Sequence, residues 1–215
     1  MYVPHHFQAE DADELIARLS RRWAGVLIGV DAEGGPVATH LPILWDAKKR
    51  IATGHIARAN PHWKLGEGKA LLVLAGPEAY VTPAWYPSKA EHGKTVPTWN
   101  YEAVHLSGRV EWFDAAERLE AVVRDLSVFH EQGRPEPWSI GDAPRAYIDA
   151  LKRGIVGVSL HVERIDAKRK LSQNKSEPDF HGVANGLAAS ADPMEREVAA
   201  LMRATRAVSD DPEGN

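Results

Sequence analysis

Apolar positions recur at two different periods along the chain, and the switch between them marks out the elements. Leu15, Ile16, Leu19 and Trp23 share one side of a helical repeat, which predicts an amphipathic helix over residues 11–23 with Asp11 as its N-cap. Val26-Leu27-Ile28-Gly29-Val30 is a short apolar run closed by Asp31-Ala32-Glu33-Gly34-Gly35-Pro36, a composition that predicts a strand and a hairpin turn. Further strands are predicted over residues 37–45, 50–57, 70–75, 78–82 and 103–113, and Ile155-Val156-Gly157-Val158-Ser159-Leu160-His161-Val162 reads as one more. Asp114 with Glu117 is a capping-box-like start for a helix burying Ala116, Leu119, Val122, Val123 and Leu126. Asp142-Ala143-Pro144 opens another helix, carrying Tyr147, Ile148 and Leu151. Asp192-Pro193-Met194-Glu195 starts a terminal helix with Val198, Leu201 and Met202 in register, and residues 207–215 read as a frayed acidic tail. Residues 176–191 are expected to be a linker. Short strands joined by tight turns predict an α+β chain with an antiparallel barrel or sandwich core. The expected division is a main domain over 1–187 and a C-terminal helix and tail over 188–215.

Composition narrows the class. The 215 residues are 44% apolar and 26% charged, ordinary globular usage that excludes a disordered or fibrous chain. No apolar run reaches the ~18 residues of a membrane span, and the first residues lack the pattern of a signal peptide. Zero cysteines remove disulfides, thiolate metal sites and cysteine nucleophiles together. A cytoplasmic protein without a membrane partner is the expectation. The net charge of −4 argues against a chain that coats nucleic acid through its whole field.

Standard catalytic signatures are missing. There is no phosphate loop and no H-E-x-x-H string, and Gly66-Glu67-Gly68 lacks the third glycine of a dinucleotide fingerprint. Gly157-Val158-Ser159-Leu160-His161 lacks the final glycine of a nucleophile elbow. The ten histidines include no helical i, i+4 pair beside a carboxylate in the region of His5, His6, His40, His55, His62 and His105, so no metal site is expected.

Two segments carry more chemistry. Thr53-Gly54-His55-Ile56-Ala57-Arg58-Ala59-Asn60-Pro61-His62-Trp63-Lys64 is a strand end running into a turn that Pro61 starts. A guanidinium, an ammonium and free backbone N–H groups there suit a phosphate; the same string also fits an ordinary basic turn. Tyr80-Val81-Thr82-Pro83-Ala84-Trp85-Tyr86-Pro87-Ser88-Lys89 and Val96-Pro97-Thr98-Trp99-Asn100-Tyr101 are expected to form an aromatic, proline-pinned loop. Such rings suit a planar ligand or a second subunit, or simply cap their own barrel. Residues 145–175 also hold eight basic side chains against three acidic ones, a stretch that could meet nucleic-acid phosphates, a subunit or only solvent.

Six blocks together resemble one family. They are Met1-Tyr2-Val3-Pro4-His5-His6-Phe7, Ala38-Thr39-His40-Leu41-Pro42, Gly54-His55-Ile56-Ala57-Arg58-Ala59-Asn60-Pro61, Trp85-Tyr86-Pro87-Ser88-Lys89, Val96-Pro97-Thr98-Trp99-Asn100-Tyr101 and Lys170-Leu171-Ser172-Gln173-Asn174-Lys175. In order and spacing they resemble the PaiB family of FMN-binding negative transcriptional regulators, over residues 1 to about 187. The resemblance implies a six-stranded antiparallel split β-barrel with peripheral helices, a homodimer, and FMN at the subunit interface. On that reading Arg58 and Lys64 pair the flavin phosphate, with Asn60 and Thr53 as neutral donors. Thr39, His40 and Leu41 line the ring edge, and His55, Ala57 and Trp63 complete that side. Trp85, Trp99 and Asn100 cover the ring, while Lys170, Ser172, Gln173 and Asn174 close the site. The expected function is an FMN-binding repressor acting on promoter DNA. The alternatives are an FMN-dependent oxidoreductase using NAD(P)H and a flavin or haem carrier without turnover.

Overall fold

The computed structural model describes residues 1–209, and the expected acidic tail lies in large part outside them. The chain divides into two compact units. One comprises residues 11–75 and 104–166, the other residues 1–10, 76–103 and 167 onward. We call them the hairpin unit and the terminal unit. Seven strands form one sheet in the order β2-β1-β5-β6-β7-β4-β3, and every strand pair with an assigned register is antiparallel. They are β1 (Gly25–Val30), β2 (Pro36–Leu41), β3 (Ile43–Asp46), β4 (Ile51–Ala57), β5 (Gly68–Val81), β6 (Thr98–Phe113) and β7 (Ile155–Lys170). No described helix is long and apolar enough to cross a membrane.

The strand count is seven rather than six, and Pro42 is the reason. The stretch expected as one strand over 37–45 is two, because a proline supplies no ladder donor. Its halves then go to opposite edges of the sheet: β2 pairs only with β1, and β3 pairs only with β4. A one-residue connection reaches no more than about 7 Å, so both edges of the hairpin unit's sheet meet at Pro42. Gly54 of β4 permits this. A Cβ on Gly54 would lie 2.5 Å from the Pro42 carbonyl oxygen, a distance no side chain tolerates.

The opposite correction applies at Gly76 and Pro77. Residues 70–75 and 78–82, expected as two strands, lie in the single strand β5. The pairing of β5 with β1 runs only over Leu71, Leu72 and Val73, so Pro77 removes no hydrogen bond from that ladder. Strand β6 likewise begins at Thr98 and takes in Trp99, Asn100 and Tyr101, which were expected in a loop.

In the hairpin unit, α1 (Ala12–Arg22) buries Leu15, Ile16 and Leu19 completely, with Asp13 and Glu14 in its first turn and Arg21 and Arg22 in its last, each sign favoured by the helix dipole at that end. Asp11 holds the N-cap position without a capping hydrogen bond from its side chain. Helix α3 (Ala116–Glu131) packs Leu119, Val122 and Leu126 on Phe113, Leu44 and Ile155. Its N-cap is Ala115, not Asp114; the Asp114 carboxylate instead lies 3.6 Å from the Arg58 guanidinium. Helix α4 (Arg145–Lys152) buries Ile148 but leaves Tyr147 and Leu151 exposed.

In the terminal unit, the short helix α2 (Ser88–His92) follows the turn at Pro83–Trp85. The expected linker is helix α5 (Glu177–Ala188), followed by α6 (Pro193–Ser209). Phe180, Val183, Ala184 and Leu187 of α5 join Val198, Ala199 and Met202 of α6 in one buried cluster, with Ala79, Val81, Tyr86 and Leu171. Gly182 and Gly186 of this helix face Trp85. A Cβ on either would strike Trp85, at 2.0 Å from its carbonyl oxygen and 2.4 Å from its ring, so close packing outweighs the glycines' poor helix propensity.

The crossing at Pro42 yields a paired expectation. Gly54→Ala should lower the stability of the fold by about 1–3 kcal/mol, the scale of overpacking, read from the urea midpoint. Gly68→Ala, at a position where a Cβ meets nothing within 4 Å, should leave the midpoint nearly unchanged. Equal midpoints for the two variants would contradict the close crossing.

Candidate functional site

The turn after β4 is built by its own side chains. Asn60 has extended backbone and caps the 3-10 turn Pro61–Leu65. Its Oδ1 accepts from the His62 backbone N–H at 3.0 Å, and Pro61 fits the first helical position, where no N–H is needed. Asn60 Nδ2 then donates to Thr39 Oγ1 at 3.0 Å, and the same oxygen lies 2.9 Å from His62 Nδ1. Thr39 and His62 are both buried. Burial pushes the His62 imidazole below its usual range, since desolvation disfavours the charged form. Three polar groups from β2 and the turn thus satisfy one another, which is the condition for burying them.

Arg58 and Trp63 form the other half of the turn. The Arg58 Nε donates to the Arg153 carbonyl at 3.0 Å and its Nη2 to the Ile155 carbonyl at 3.1 Å. Its own carbonyl accepts from Trp63 Nε1 at 2.9 Å. The guanidinium therefore fastens the turn to the start of β7. Lys64 is exposed, and its ammonium makes no ion pair among the described residues; it lies 6.0 Å from the centroid of the Trp63 ring. His40, beside Thr39 on β2, is also exposed.

Of the other expected residues of the hairpin unit, Ala57 belongs to the turn, its carbonyl accepting from the Asn60 N–H at 2.9 Å. Leu41 is in the core, and Ala57 is exposed at the end of β4. Thr53 Oγ1 is 3.5 Å from Ser159 Oγ. His55 sits opposite Gly157, whose absent Cβ makes room for the Phe113 ring. His55 Nδ1 is buried without a hydrogen-bond partner, and burial lowers the ring's pKa.

In the terminal unit the expected residues form a second group. Asn100 is wholly buried; it exchanges hydrogen bonds with Ser172 Oγ at 3.0 and 3.1 Å and reaches Met202 Sδ at 3.4 Å. Ser172 has a positive φ of 66°, a costly conformation for a residue with a side chain, and Asn100 holds it there. Gln173 spans the same turn, donating to the Arg169 carbonyl and accepting from the Leu171 N–H, both at 2.7 Å. Asn174 is exposed. Lys170 Nζ donates to Thr98 Oγ1 at 2.6 Å and to the Trp99 carbonyl. Burial lowers its pKa, and Lys168 and Lys175 push the same way. Trp99 is 51% exposed, edge-on to Tyr80 at 6.0 Å. Trp85 is half-buried against α5.

Four of the eight basic side chains of 145–175 are held in ion pairs. Arg145 and Lys152 both bind Glu120, at 2.6 and 2.5 Å, and both reach Asp149. Arg164 pairs with Asp166, and Arg169 with the buried Glu102 at 2.8 Å. Lys168 is buried and faces Tyr2, Phe7 and Tyr101.

A family model described as "Putative FMN-binding domain" matches residues 1–164. The chain belongs to this FMN-binding family, the PaiB family. Its relatives include the protease synthase and sporulation protein PAI 2 of Bacillus subtilis, 32% identical over 206 residues, which cover 94% of this chain and 96% of that protein. An uncharacterized protein of Aspergillus fumigatus is 35% identical over 167 residues, 62% of this chain and 64% of the relative. Among solved structures, the flavocytochrome Anf3 of Azotobacter vinelandii superposes with a TM-score of 0.56 at 16% identity, covering 82% of this chain and 76% of that one. The FAD and heme binding protein of Mycobacterium smegmatis gives 0.54 at 14%, covering 78% and 76%. At such identities these two establish a shared fold. FMN is the cofactor of the PaiB family model, and the donors of this chain suit it. An unpaired exposed ammonium on an ordered turn fits a phosphate, and the partnerless His55 Nδ1 is a polar atom that the protein leaves unsatisfied.

Sequence reasoning missed His62 as a partner of Thr39. The signal was present in Asn60-Pro61, which fixes where residue 62 points, but the 23-residue separation hid the contact.

The ion pairs set an acid limit. Hydrogen bonds from Arg145 and Lys152 hold the Glu120 carboxyl down at about 2, against 4.5 ordinarily. A depressed carboxylate contributes stability that is fully present above its unfolded value and lost as pH falls through the folded one. The chain should therefore lose stability between pH 4.5 and about 2, and Glu120→Gln should flatten that part of a denaturation-versus-pH curve. An unchanged slope would remove Glu120 from the acid response.

Proposed function

We propose that this chain is an FMN-binding transcriptional regulator, a repressor that works as a homodimer in the cytoplasm and takes the flavin phosphate at the turn after β4. What carries the reading is full-length relatedness to a protein named for protease synthase and sporulation, 32% identical over 94% of this chain. Lys64 supplies the free positive charge for the phosphate, and Arg58 keeps the turn in place with one further nitrogen to offer. Asn60 and Thr39 act through the shape of the turn, and His40 and Leu41 border the ring through β2. In the terminal unit, Trp99 offers an exposed face for the isoalloxazine of a partner subunit. Asn100, Ser172 and Gln173 hold the turn that carries Lys170. When bound, FMN supplies redox chemistry that the side chains lack.

The internal pairing of residues 145–175 favours attention to a second reading, an FMN-dependent oxidoreductase using NAD(P)H. With Arg145, Lys152, Arg164 and Arg169 already matched to carboxylates, only Arg153, Lys168, Lys170 and Lys175 of that stretch remain for DNA phosphates, and Lys168 is buried.

Purified protein should turn yellow with FMN, and Lys64→Ala should weaken FMN binding by about 1.5 kcal/mol, roughly tenfold. A regulator retards a promoter fragment, with a retardation that falls steeply with salt. NAD(P)H oxidation that rises on adding FMN, without retardation of that fragment, selects the oxidoreductase instead. A species of monomer mass in light scattering would remove the shared site.

A further inference from the structure

A cavity of about 310 Å³ lies on the far side of the turn, entirely within the hairpin unit. Its lining runs from Gly29 of β1 through His62, Leu65 and the loop at Gly66 to Val110 and Trp112 of β6, with Glu67 and Lys69 at exposed positions. The volume sits at the lower end of small-molecule sites, enough for a one- or two-ring compound. The phosphate reading above does not use this space, and the inference stands without that reading.

The polar equipment of the cavity follows from the turn. Asn60 Nδ2 can only donate, so Thr39 Oγ1 accepts from it. That oxygen keeps a second lone pair and its own proton, so it can accept from or donate to its other partner, His62 Nδ1, 2.9 Å away. Where Thr39 donates, the neutral imidazole carries its proton at Nε2; where Thr39 accepts, Nε2 is itself an acceptor. His62 is 2% exposed as a residue and lines the cavity, and its Nε2 makes no hydrogen bond among the described residues. Gly29 leaves space for that nitrogen: a Cβ there would lie 2.9 Å from it. Opposite stands Trp112, 5.8 Å from the His62 ring between centroids and tilted by 55°. The indole N–H is occupied by the Gly66 carbonyl at 3.0 Å, which fixes the ring as a wall and leaves its face for stacking.

We propose that this cavity is a binding site for a small, neutral, planar heterocycle that stacks on Trp112 and turns a hydrogen-bonding edge to His62 Nε2. Among charged groups, Glu67 and Lys69 at the rim make no ion pair of their own, which suits a polar substituent pointing outward. Because His62 belongs to the bond set that shapes the turn, occupancy would reach the turn through Thr39 and Asn60.

Calorimetric titration of the full chain with uracil, nicotinamide and adenine, each up to about 1 mM, the weak end of single-site affinity, tests this. At least one probe should bind, at one site per chain. Ala70→Leu, which fills the cavity from β5, should abolish that binding, and Trp112→Phe should weaken it severalfold while keeping an aromatic wall. Both variants are first checked for a wild-type circular dichroism spectrum and urea midpoint. Lys64→Ala, on the outer side of the turn, should leave probe binding unchanged. The proposal is overturned if no probe binds, if folded Ala70→Leu and Trp112→Phe bind as wild type, or if Lys64→Ala abolishes binding, which would place the probe at the phosphate turn.

Discussion

The crossing at Pro42 over Gly54 is the constraint on which the hairpin unit turns. One residue separates strands that lie at opposite edges of the hydrogen-bonded order, so β2 has no choice but to run beside the end of β4. Thr39 on β2 therefore meets Asn60 and His62, which follow β4. An ordered basic turn is the result, and its charge is placed by backbone geometry rather than by a flexible loop. A glycine at 54 is the condition for all of it, because a methyl group there would collide with the Pro42 carbonyl.

The two units hold their turns with different chemistry. In the hairpin unit, a small closed set of hydrogen bonds fixes the turn, and burial lowers the pKa of His62 within it. In the terminal unit, Asn100 pins the left-handed Ser172 from a fully buried position and leans on Met202 of the last helix. The last helix is thereby part of the scaffold for the Lys170–Lys175 segment, since Val198, Ala199 and Met202 share a core with Leu171. Such over-determined strain is common where a site must be held in advance of its ligand.

Much of this was legible in the residues, and the failures share one cause. Periodicity located α1, α3 and the terminal helix, because amphipathic spacing is a local property. The turn after β4 was legible from Asn60-Pro61, a cap and an N1 proline in sequence. Residues 37–45 read as one strand, and nothing local says that Pro42 divides it or that the halves belong to opposite edges. Residues 70–75 and 78–82 read as two strands, yet Pro77 lies beyond the stretch where β5 pairs with β1 and removes no donor from that ladder. Residues 176–191 read as a linker, and the Trp85 carbonyl and ring against which Gly182 and Gly186 pack lie about a hundred residues earlier. Asp114 and Glu117 had capping-box spacing, but Arg58 takes the Asp114 charge. The basic run of 145–175 was correct as a count and misleading as a surface, since its partners Glu120 and Glu102 lie outside it.

The account rests on a phosphate being held by the turn that Thr39, Asn60 and His62 shape. Affinities for FMN and riboflavin, which differ only in that phosphate, measure it most directly when compared between the natural chain and Asn60→Ala by flavin fluorescence. A clear preference for FMN in the natural chain that collapses in the variant is the expected result. Equal affinity for the two flavins, or a preference that survives the loss of Asn60 with the fold intact, would contradict it.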